Sequence, residues 1–235
     1  MGIAVRCAAV PYFPKWDHRR WFNTPVEWFR KSHGDTFQNA EQWGGLEHID
    51  PRARVYLQDA GLFANVADRV REVFAPSPVA AQYLARPQFQ AWREACQRGA
   101  VAVHVRRGDL LTQTPGFQPA LTVDAPDYYR DAATLCPDAE LWVFSDDPAW
   151  CTENMPALVG RPVTVMAGNP DWVDLQLMAS ADHHIMSNST YSWWTVFLSG
   201  NRAPISPSLW WGPNLEYVDT GLMVPGGPDW VTVPC

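Results

Sequence analysis

The stretch VAVHVRRGDLL, residues 101–111, decides the fold and indicates where the functional site lies. Valine alternates with smaller or polar residues through its first half, a pattern that is typical of a buried strand. His104, Arg106 and Arg107 then lie on the strand or at its end, followed by a glycine and an aspartate. Because charged groups rarely lie inside a sheet without a partner, the two arginines predict a site for an anion such as a phosphate.

Outward from this stretch, strand, polar loop and helix repeat along the chain. The predicted strands cover residues 100–105, 140–144, 161–167, 183–187 and 203–207. The predicted helices cover residues 125–136, 171–181 with Asp171 as its cap, and 191–200 with Gly200 closing it. Strands that alternate with helices indicate parallel βαβ units, in which ligands bind at the carboxyl ends of the strands. The sequence therefore predicts an α/β fold with its site at one edge of the sheet.

The remainder of the chain divides around this region. Residues 1–50 have weak periodicity, residues 54–57 predict a short strand, and residues 65–99 predict helices interrupted by prolines and ended by Gly99. We therefore expect an N-terminal part at 1–99, an α/β domain at 100–205 and a Pro- and Gly-rich tail at 206–235.

Composition narrows the function classes. The chain has 235 residues, a net charge of −7 and 47% hydrophobic residues, which predicts a packed core and argues against a surface built for nucleic acid. Five scattered cysteines without a CxxC pair argue against a disulfide framework or structural zinc and favour a reducing compartment. No signal peptide and no apolar run near the ~20 residues of a bilayer span is recognised, so a cytoplasmic protein is expected.

Two more polar clusters follow predicted strands. In FSDDP, Asp146 and Asp147 could receive hydrogen bonds from a ribose or a base edge, or could hold Mg²⁺. Alternatively, Ser145 or Asp146 could cap the next helix. In SNSTYSWW, the hydroxyls of Ser189 and Thr190 at a helix start could bind an anion or could serve as plain caps. The arginines after the first strand could likewise form structural pairs with carboxylates.

A metal role is not expected for the adjacent histidines of DHH, residues 182–184. His183 and His184 would point to opposite faces of a strand and so could not share one ion.

Taken in order, the segments VHVRRGDL, APDYYRDA, FSDDPAWCTEN and DLQLMASADHHIMSNSTYSWW resemble the α-1,2-fucosyltransferase family, over roughly residues 54–200. The resemblance implies an inverting glycosyltransferase of the B-type architecture, with a Rossmann-like donor domain at 100–205 and an acceptor-side domain in 1–99. It implies GDP-β-L-fucose as donor, a galactose-containing glycan as acceptor, and neither metal nor cofactor. An enzyme of this kind would be cytoplasmic or peripheral to a membrane that carries its glycan.

The resemblance also implies roles for individual residues. Arg106, helped by Arg107, would neutralise the β-phosphate of the leaving GDP. The base is not given by the resemblance; Asp109 is a candidate because it lies close to the two arginines in the chain, and it could equally hold either of them in place. The residues expected to bind the donor are His104, Arg106, Arg107, Asp146, Asp147, Asn188, Ser189, Thr190 and Ser192.

One family element is not recognised. The family's opening glycine-rich loop, of the form GGLGNQMFQYA, has only a three-letter counterpart in WGGLEH, residues 43–48. The sequence therefore predicts an incomplete N-terminal domain and slow or absent transfer. Two alternatives stay open: a metal-dependent A-type glycosyltransferase with Asp146 and Asp147 on Mg²⁺, and a nucleotide-sugar-binding protein without turnover.

Overall fold

The computed structural model describes residues 66–108, 111, 126–200, 203–208 and 230–234. The chain divides into two compact units, residues 1–83 and 84–235. The strand predicted at 54–57 and the incomplete domain predicted from the glycine-rich loop lie outside the described residues, as does Asp109.

The described part of the first unit is helical. Helix α1 spans Ala67–Phe74 and buries Val70 and Val73, one turn apart, as the helical spacing of its valines predicts. Helix α2 spans Pro78–Leu84 and begins at a proline, which the first helical turn tolerates because its N–H would lack a partner there.

The second unit contains a parallel sheet, with six strands among the described residues. They are β1 Val101–Val105, β2 Leu141–Ser145, β3 Thr164–Val165, β4 His183–Ile185, β5 Ile205–Pro207 and β6 Val231–Val233. Their order is β3-β2-β1-β4-β5-β6, and every neighbouring pair is parallel. This is the strand order of dinucleotide-binding Rossmann sheets. The predicted α/β class with a Rossmann-like domain is confirmed.

Strand β6 lies within residues 206–235, which the sequence interpretation describes as a tail. Val231–Val233 pairs with β5 along Ile205–Pro207, so the tail contributes an edge strand. Three residues within a segment rich in Pro and Gly are too few to show a strand period.

The helices of this unit precede β1 or connect the strands from β1 to β5. A 3₁₀ turn at Pro87–Phe89 leads into α3 Gln90–Gln97, and the helices that follow are α4 Pro126–Thr134, α5 Pro148–Val159, α6 Asp171–Ala179 and α7 Thr190–Ser199. Gly200 closes α7 with a φ of 73°, as predicted. No helix in the described ranges has the length and apolar character needed to cross a membrane.

The predicted cap of α6 is wrong by one residue. The capping position is occupied by Pro170, whose ring offers no hydrogen-bond acceptor, and Asp171 is the first helical residue. Asp171 and Asp174 instead place carboxylates in the first turn, where the positive end of the helix dipole favours negative charge.

The two faces of the sheet pack against different helices. On one face, the odd-numbered residues of β1 and β2 form a core with buried side chains of α4 and α5. On the other face, Trp92 of α3 packs its ring 5.4 Å from that of Trp142 and 5.3 Å from that of Phe144. Residues 84–99 therefore belong to the compact unit of the sheet, although the sequence analysis groups them with the N-terminal part.

Candidate functional site

The site lies where the order of the strands reverses. From β1 the chain builds the sheet outward through β2 and β3, and then returns to place β4 on the other side of β1. At such a switch point the connections after the two central strands diverge and leave a crevice outside their carboxyl ends. Because β1, β2 and β4 are parallel neighbours, the segments HVRRGD, FSDD and SNST meet at one edge, as predicted.

The side chain of Asp146 contacts the turn that follows β1. Its Oδ2 lies 2.8 Å from Nη1 of Arg106, and its Oδ1 accepts a hydrogen bond of 2.8 Å from the main-chain N–H of Arg107. A Cβ added to Gly108 would lie only 2.2 Å from the same Oδ2, a distance that no side chain could occupy unless Asp146 moved. A side chain at position 108 would therefore displace the Asp146 carboxylate.

Arg107 makes a different set of contacts. Its Nε donates to Asp147 at 3.2 Å, and its guanidinium lies 3.7 Å from the centre of the Trp150 ring. The Arg107 side chain is 12% exposed, whereas that of Arg106 is 35% exposed. Of the two arginines, Arg106 is thus the one that solvent reaches more readily.

The cap of α5 is Asp147, and not Ser145 or Asp146, the two residues that the sequence predicts as caps. Oδ1 of Asp147 accepts a hydrogen bond from the N–H of Trp150 at 3.2 Å and so caps α5. Its own N–H donates to Oγ of Ser145 at 3.0 Å. The cap and the pair with Arg107 therefore fix the start of α5 against the end of β1.

His104 is buried on β1, close to the crevice. Its Nδ1 lies 2.7 Å from Oγ of Ser187, and its ring centre is 5.2 Å from that of Tyr191. Burial, assisted by the charge of Arg106, lowers the pKa of His104 to about 3. The imidazole is therefore neutral near pH 7, with one nitrogen as donor and the other as acceptor.

The SNST segment connects β4 to α7. Ser189 is the capping residue, and its Oγ accepts from the N–H of Tyr191 at 3.3 Å. The buried Ser192 accepts from the N–H of Ser187 at 3.2 Å, whereas Thr190 is exposed. Capping is thus confirmed for Ser189, Asn188 is buried beside it, and anion binding by this segment stays a prediction.

Two buried tyrosines of α4 bind strand ends, a role that the sequence interpretation did not include. The Tyr129 hydroxyl donates to the carbonyl of His104 at 3.1 Å, and the Tyr128 hydroxyl donates to the carbonyl of Met186 at 2.6 Å. The two adjacent tyrosines of APDYY could have indicated this role from the sequence, because the hydroxyl of a buried tyrosine needs a hydrogen-bond partner.

Asp174 is a second feature that the sequence interpretation missed. Burial raises the pKa of its carboxyl to about 6, although Asn169 donates a hydrogen bond of 2.9 Å to it. The hydroxyl of Tyr191 donates to the carbonyl of Asp171 at 2.6 Å. Burial raises the pKa of the Tyr191 hydroxyl well above 10. An acidic residue among the apolar residues of DWVDLQLM is the signal that could have identified Asp174.

The histidine pair behaves as its alternation predicts. His183 is exposed, and the buried His184 has its Nε2 2.9 Å from the carbonyl of Met178. Among the residues that the structure describes, no group of three or more His, Cys, Asp or Glu side chains could hold a metal ion.

Fold and site together define an α/β domain of the Rossmann type, with an arginine-bearing turn and a helix start at its switch point. The chain belongs to glycosyl transferase family 11, whose family model matches residues 56–205. The resemblance inferred from the motifs is therefore confirmed.

Curated relatives are similar over different parts of the chain. An alpha-1,2-colitosyltransferase of Escherichia coli is 28% identical over 73% of this chain, and the O-antigen biosynthesis glycosyltransferase WbnK of Escherichia coli is 32% identical over 48%. Galactoside alpha-(1,2)-fucosyltransferase 1 of Saimiri sciureus is 32% identical over 44%. The chain spans 58%, 39% and 30% of the lengths of these three relatives.

A solved structure, the E. coli heptosyltransferase WaaC with ADP, aligns with 72% of this chain and 49% of its own. Its TM-score is 0.40 and its sequence identity is 18%.

Proposed function

We propose that this chain transfers L-fucose from GDP-β-L-fucose to the 2-hydroxyl of an acceptor sugar, galactose in the first instance, with inversion. The observation that carries the proposal is the position of Arg106: a partly exposed guanidinium at the end of the central strand, beside the switch point, in a chain of glycosyl transferase family 11. The names of the galactoside alpha-(1,2)-fucosyltransferase relatives support the choice of sugar and linkage.

The chemistry explains why a cation is needed at this place. As the bond between fucose and GDP breaks, negative charge develops on the β-phosphate, and the protein must stabilise it. Arg106 supplies a fixed positive charge, and the start of α7 adds main-chain N–H groups at the positive end of a helix dipole. One preorganised donor of this kind typically contributes about 3–4 kcal/mol of transition-state stabilisation.

Two further residues take proposed roles around the donor. His104 faces the guanosine as a neutral hydrogen-bonding group, since burial and Ser187 hold it uncharged and in one orientation. Asp147 already caps α5 and pairs with Arg107, which favours a positioning role over direct contact with the ribose. Asp109 remains the proposed base that takes the proton of the acceptor hydroxyl.

The ion pairs favour a metal-independent transfer over the A-type alternative. Arg106 lies against Asp146 and Arg107 against Asp147, so each carboxylate has a cation as its neighbour. A divalent ion on these oxygens would have to displace or repel both guanidiniums. Positive charge for the leaving group then comes from the arginines.

Calorimetry with GDP, ADP and UDP tests the donor, and a GDP-release assay with GDP-fucose and β-galactosides tests the transfer. We expect GDP to bind more tightly than ADP or UDP, and the product to carry an α-anomeric proton in its NMR spectrum. Equal binding of the three nucleotides would contradict a guanosine-specific donor site. GDP binding without transfer to any β-galactoside would instead support a nucleotide-sugar-binding protein without turnover.

A further inference from the structure

We propose that Asp146 is a positioning residue, whose carboxylate holds the turn Arg106–Gly108 and sets the Arg106 guanidinium in the geometry that receives a pyrophosphate. The inference rests on the proposed donor site and deepens it. It replaces the expectation that Asp146 touches the donor itself.

The first argument is that the two oxygens of Asp146 have separate tasks on the same turn. Oδ1 accepts the main-chain N–H of Arg107 and fixes the path of the chain, while Oδ2 accepts Nη1 of Arg106 and fixes the side chain. The contact with Oδ2 is made by Nη1, and the Arg106 side chain is 35% exposed. Arg106 can therefore be held by Asp146 and still be reached by an anion.

The second argument is the space that Gly108, which has no side chain, leaves for the Asp146 carboxylate. A Cβ at this position would come within 2.2 Å of Oδ2 and 3.1 Å of Cγ of Asp146. The carboxylate thus packs directly against the backbone of the turn, and Asp146 and Gly108 form a matched pair.

Two effects of the Asp146 charge on nucleotide affinity oppose each other. The direction in which a mutation of Asp146 changes that affinity therefore distinguishes them. A negative charge near a phosphate repels it, and repulsion alone predicts tighter nucleotide binding when the charge is removed. Positioning predicts weaker binding, because ordering a long side chain during binding costs about 0.5–1.5 kcal/mol. This corresponds to roughly a two- to tenfold loss of affinity.

The test is calorimetry with GDP on the full chain. Asp146→Asn keeps an oxygen for the N–H of Arg107 and removes the charge, and we expect a two- to tenfold weaker affinity. Unchanged or tighter binding would overturn the proposal. Asp146→Ser, a smaller acceptor, is the second variant if the asparagine variant does not fold.

The matched control is Glu140→Gln. Glu140 lies just before β2 and pairs with Arg98 at 2.6 Å, whereas Asp146 lies just after β2. Glu140→Gln therefore removes a negative charge from an arginine pair, as Asp146→Asn does, but at the other end of the strand. Its nucleotide affinity should equal that of the wild type. An equal loss in the control would mean that net charge, rather than the position of Arg106, governs binding.

A double-mutant cycle separates positioning from a merely structural role. If Asp146 acts through Arg106, Asp146→Asn should have no further effect on affinity in an Arg106→Ala background. A full additional loss there would overturn the proposal. Gly108→Ala should also weaken binding in the wild type, since its methyl group would displace the Asp146 carboxylate.

The choice of nucleotide separates this proposal from the donor assignment. ADP, UDP and inorganic pyrophosphate are titrated beside GDP. A chain that binds another nucleotide but not GDP would contradict the proposed donor, and the cycle is then measured with the nucleotide that binds. A chain that binds none of these probes would overturn both proposals.

Discussion

The hydrogen bond of 2.7 Å between Nδ1 of His104 and Oγ of Ser187 joins the ends of β1 and β4, the two strands between which the sheet order reverses. Both residues are buried, so the bond is protected from water. It connects the RRGD turn to the SNST loop by side chains that are 83 residues apart in sequence. The two borders of the crevice are therefore fixed relative to one another before any ligand arrives.

Ser187→Ala should destabilise the chain by about 1–3 kcal/mol, because it leaves a buried nitrogen of His104 without its hydrogen-bond partner. Urea unfolding at pH 7 measures the change. Ser199→Ala is the control, since its hydroxyl donates within α7 to the carbonyl of Val196 and its side chain is partly exposed. A Ser187→Ala variant as stable as this control would contradict the linking role of the bond.

The two arginines should respond differently to substitution by alanine. Arg106→Ala should weaken GDP binding about ten- to a hundredfold with little change in stability, as a charge-assisted contact is worth about 1.5–3 kcal/mol. Arg106→Lys should also bind weakly, because an ammonium lacks the planar fork. Calorimetry and thermal unfolding on the same samples measure both properties.

Arg107→Ala should mainly lower stability, since Arg107 is 12% exposed, stacks on Trp150 and pairs with Asp147. The opposite pattern, with Arg107→Ala lowering affinity and Arg106→Ala lowering stability, would reverse the proposed division of roles.

Stability should fall as the pH is lowered from 6.5 to 4. Burial lowers the pKa of His184 to about 4 and that of His104 to about 3, so the unfolded chain takes up protons in this range while the folded chain does not. Each histidine then costs up to about 1.4 kcal/mol per pH unit below 6.5. The pKa of Asp174 is raised to about 6, so its carboxyl takes up a proton in the folded chain before it does so in the unfolded chain. Asp174 therefore increases stability as the pH falls, and it offsets the effect of one of the two histidines.

His184→Gln should flatten this dependence, because glutamine has no proton to gain. Urea midpoints at pH 7 and pH 5, for the variant and the wild type, measure it. An unchanged difference between the two pH values would show that His184 takes up its proton equally well in the folded state.

Transfer from GDP-fucose should be insensitive to EDTA, because the proposed mechanism takes its positive charge from Arg106 and the start of α7 rather than from a metal ion. It should also be slow if the glycine-rich loop of the family has no counterpart, because a wet site weakens electrostatic stabilisation and leaves the acceptor poorly oriented. GDP release with and without EDTA measures the first point. Turnover that EDTA abolishes and Mg²⁺ restores would defeat the metal-independent mechanism.

Local patterns in the sequence were sufficient for the elements around the site. The alternating valines before Arg106 predicted a buried strand, and β1 is buried along its whole length. The repeat of strand, polar loop and helix predicted parallel neighbours, and with them the meeting of three polar segments at one edge. These inferences hold because period and turn chemistry are set by residues close together in the chain.

Two elements escaped this reasoning for physical reasons. Strand β6 has three residues and exists because β5 offers an edge to pair with, which no local period records. The cap of α6 depended on the extended backbone at Pro170, whose ψ of 148° sets where the helix begins.

The sequence by itself determined the α/β class, the strand ends that carry polar groups and the family of the chain. Only the tertiary structure decided which arginine is accessible, because Arg106 and Arg107 are adjacent and chemically identical until each meets its own partner. Those partners, Asp146 and Asp147, follow a different strand about forty positions later. Their contact depends on β2 lying beside β1, and neighbour order in a sheet comes from the packing of the whole domain rather than from any local pattern.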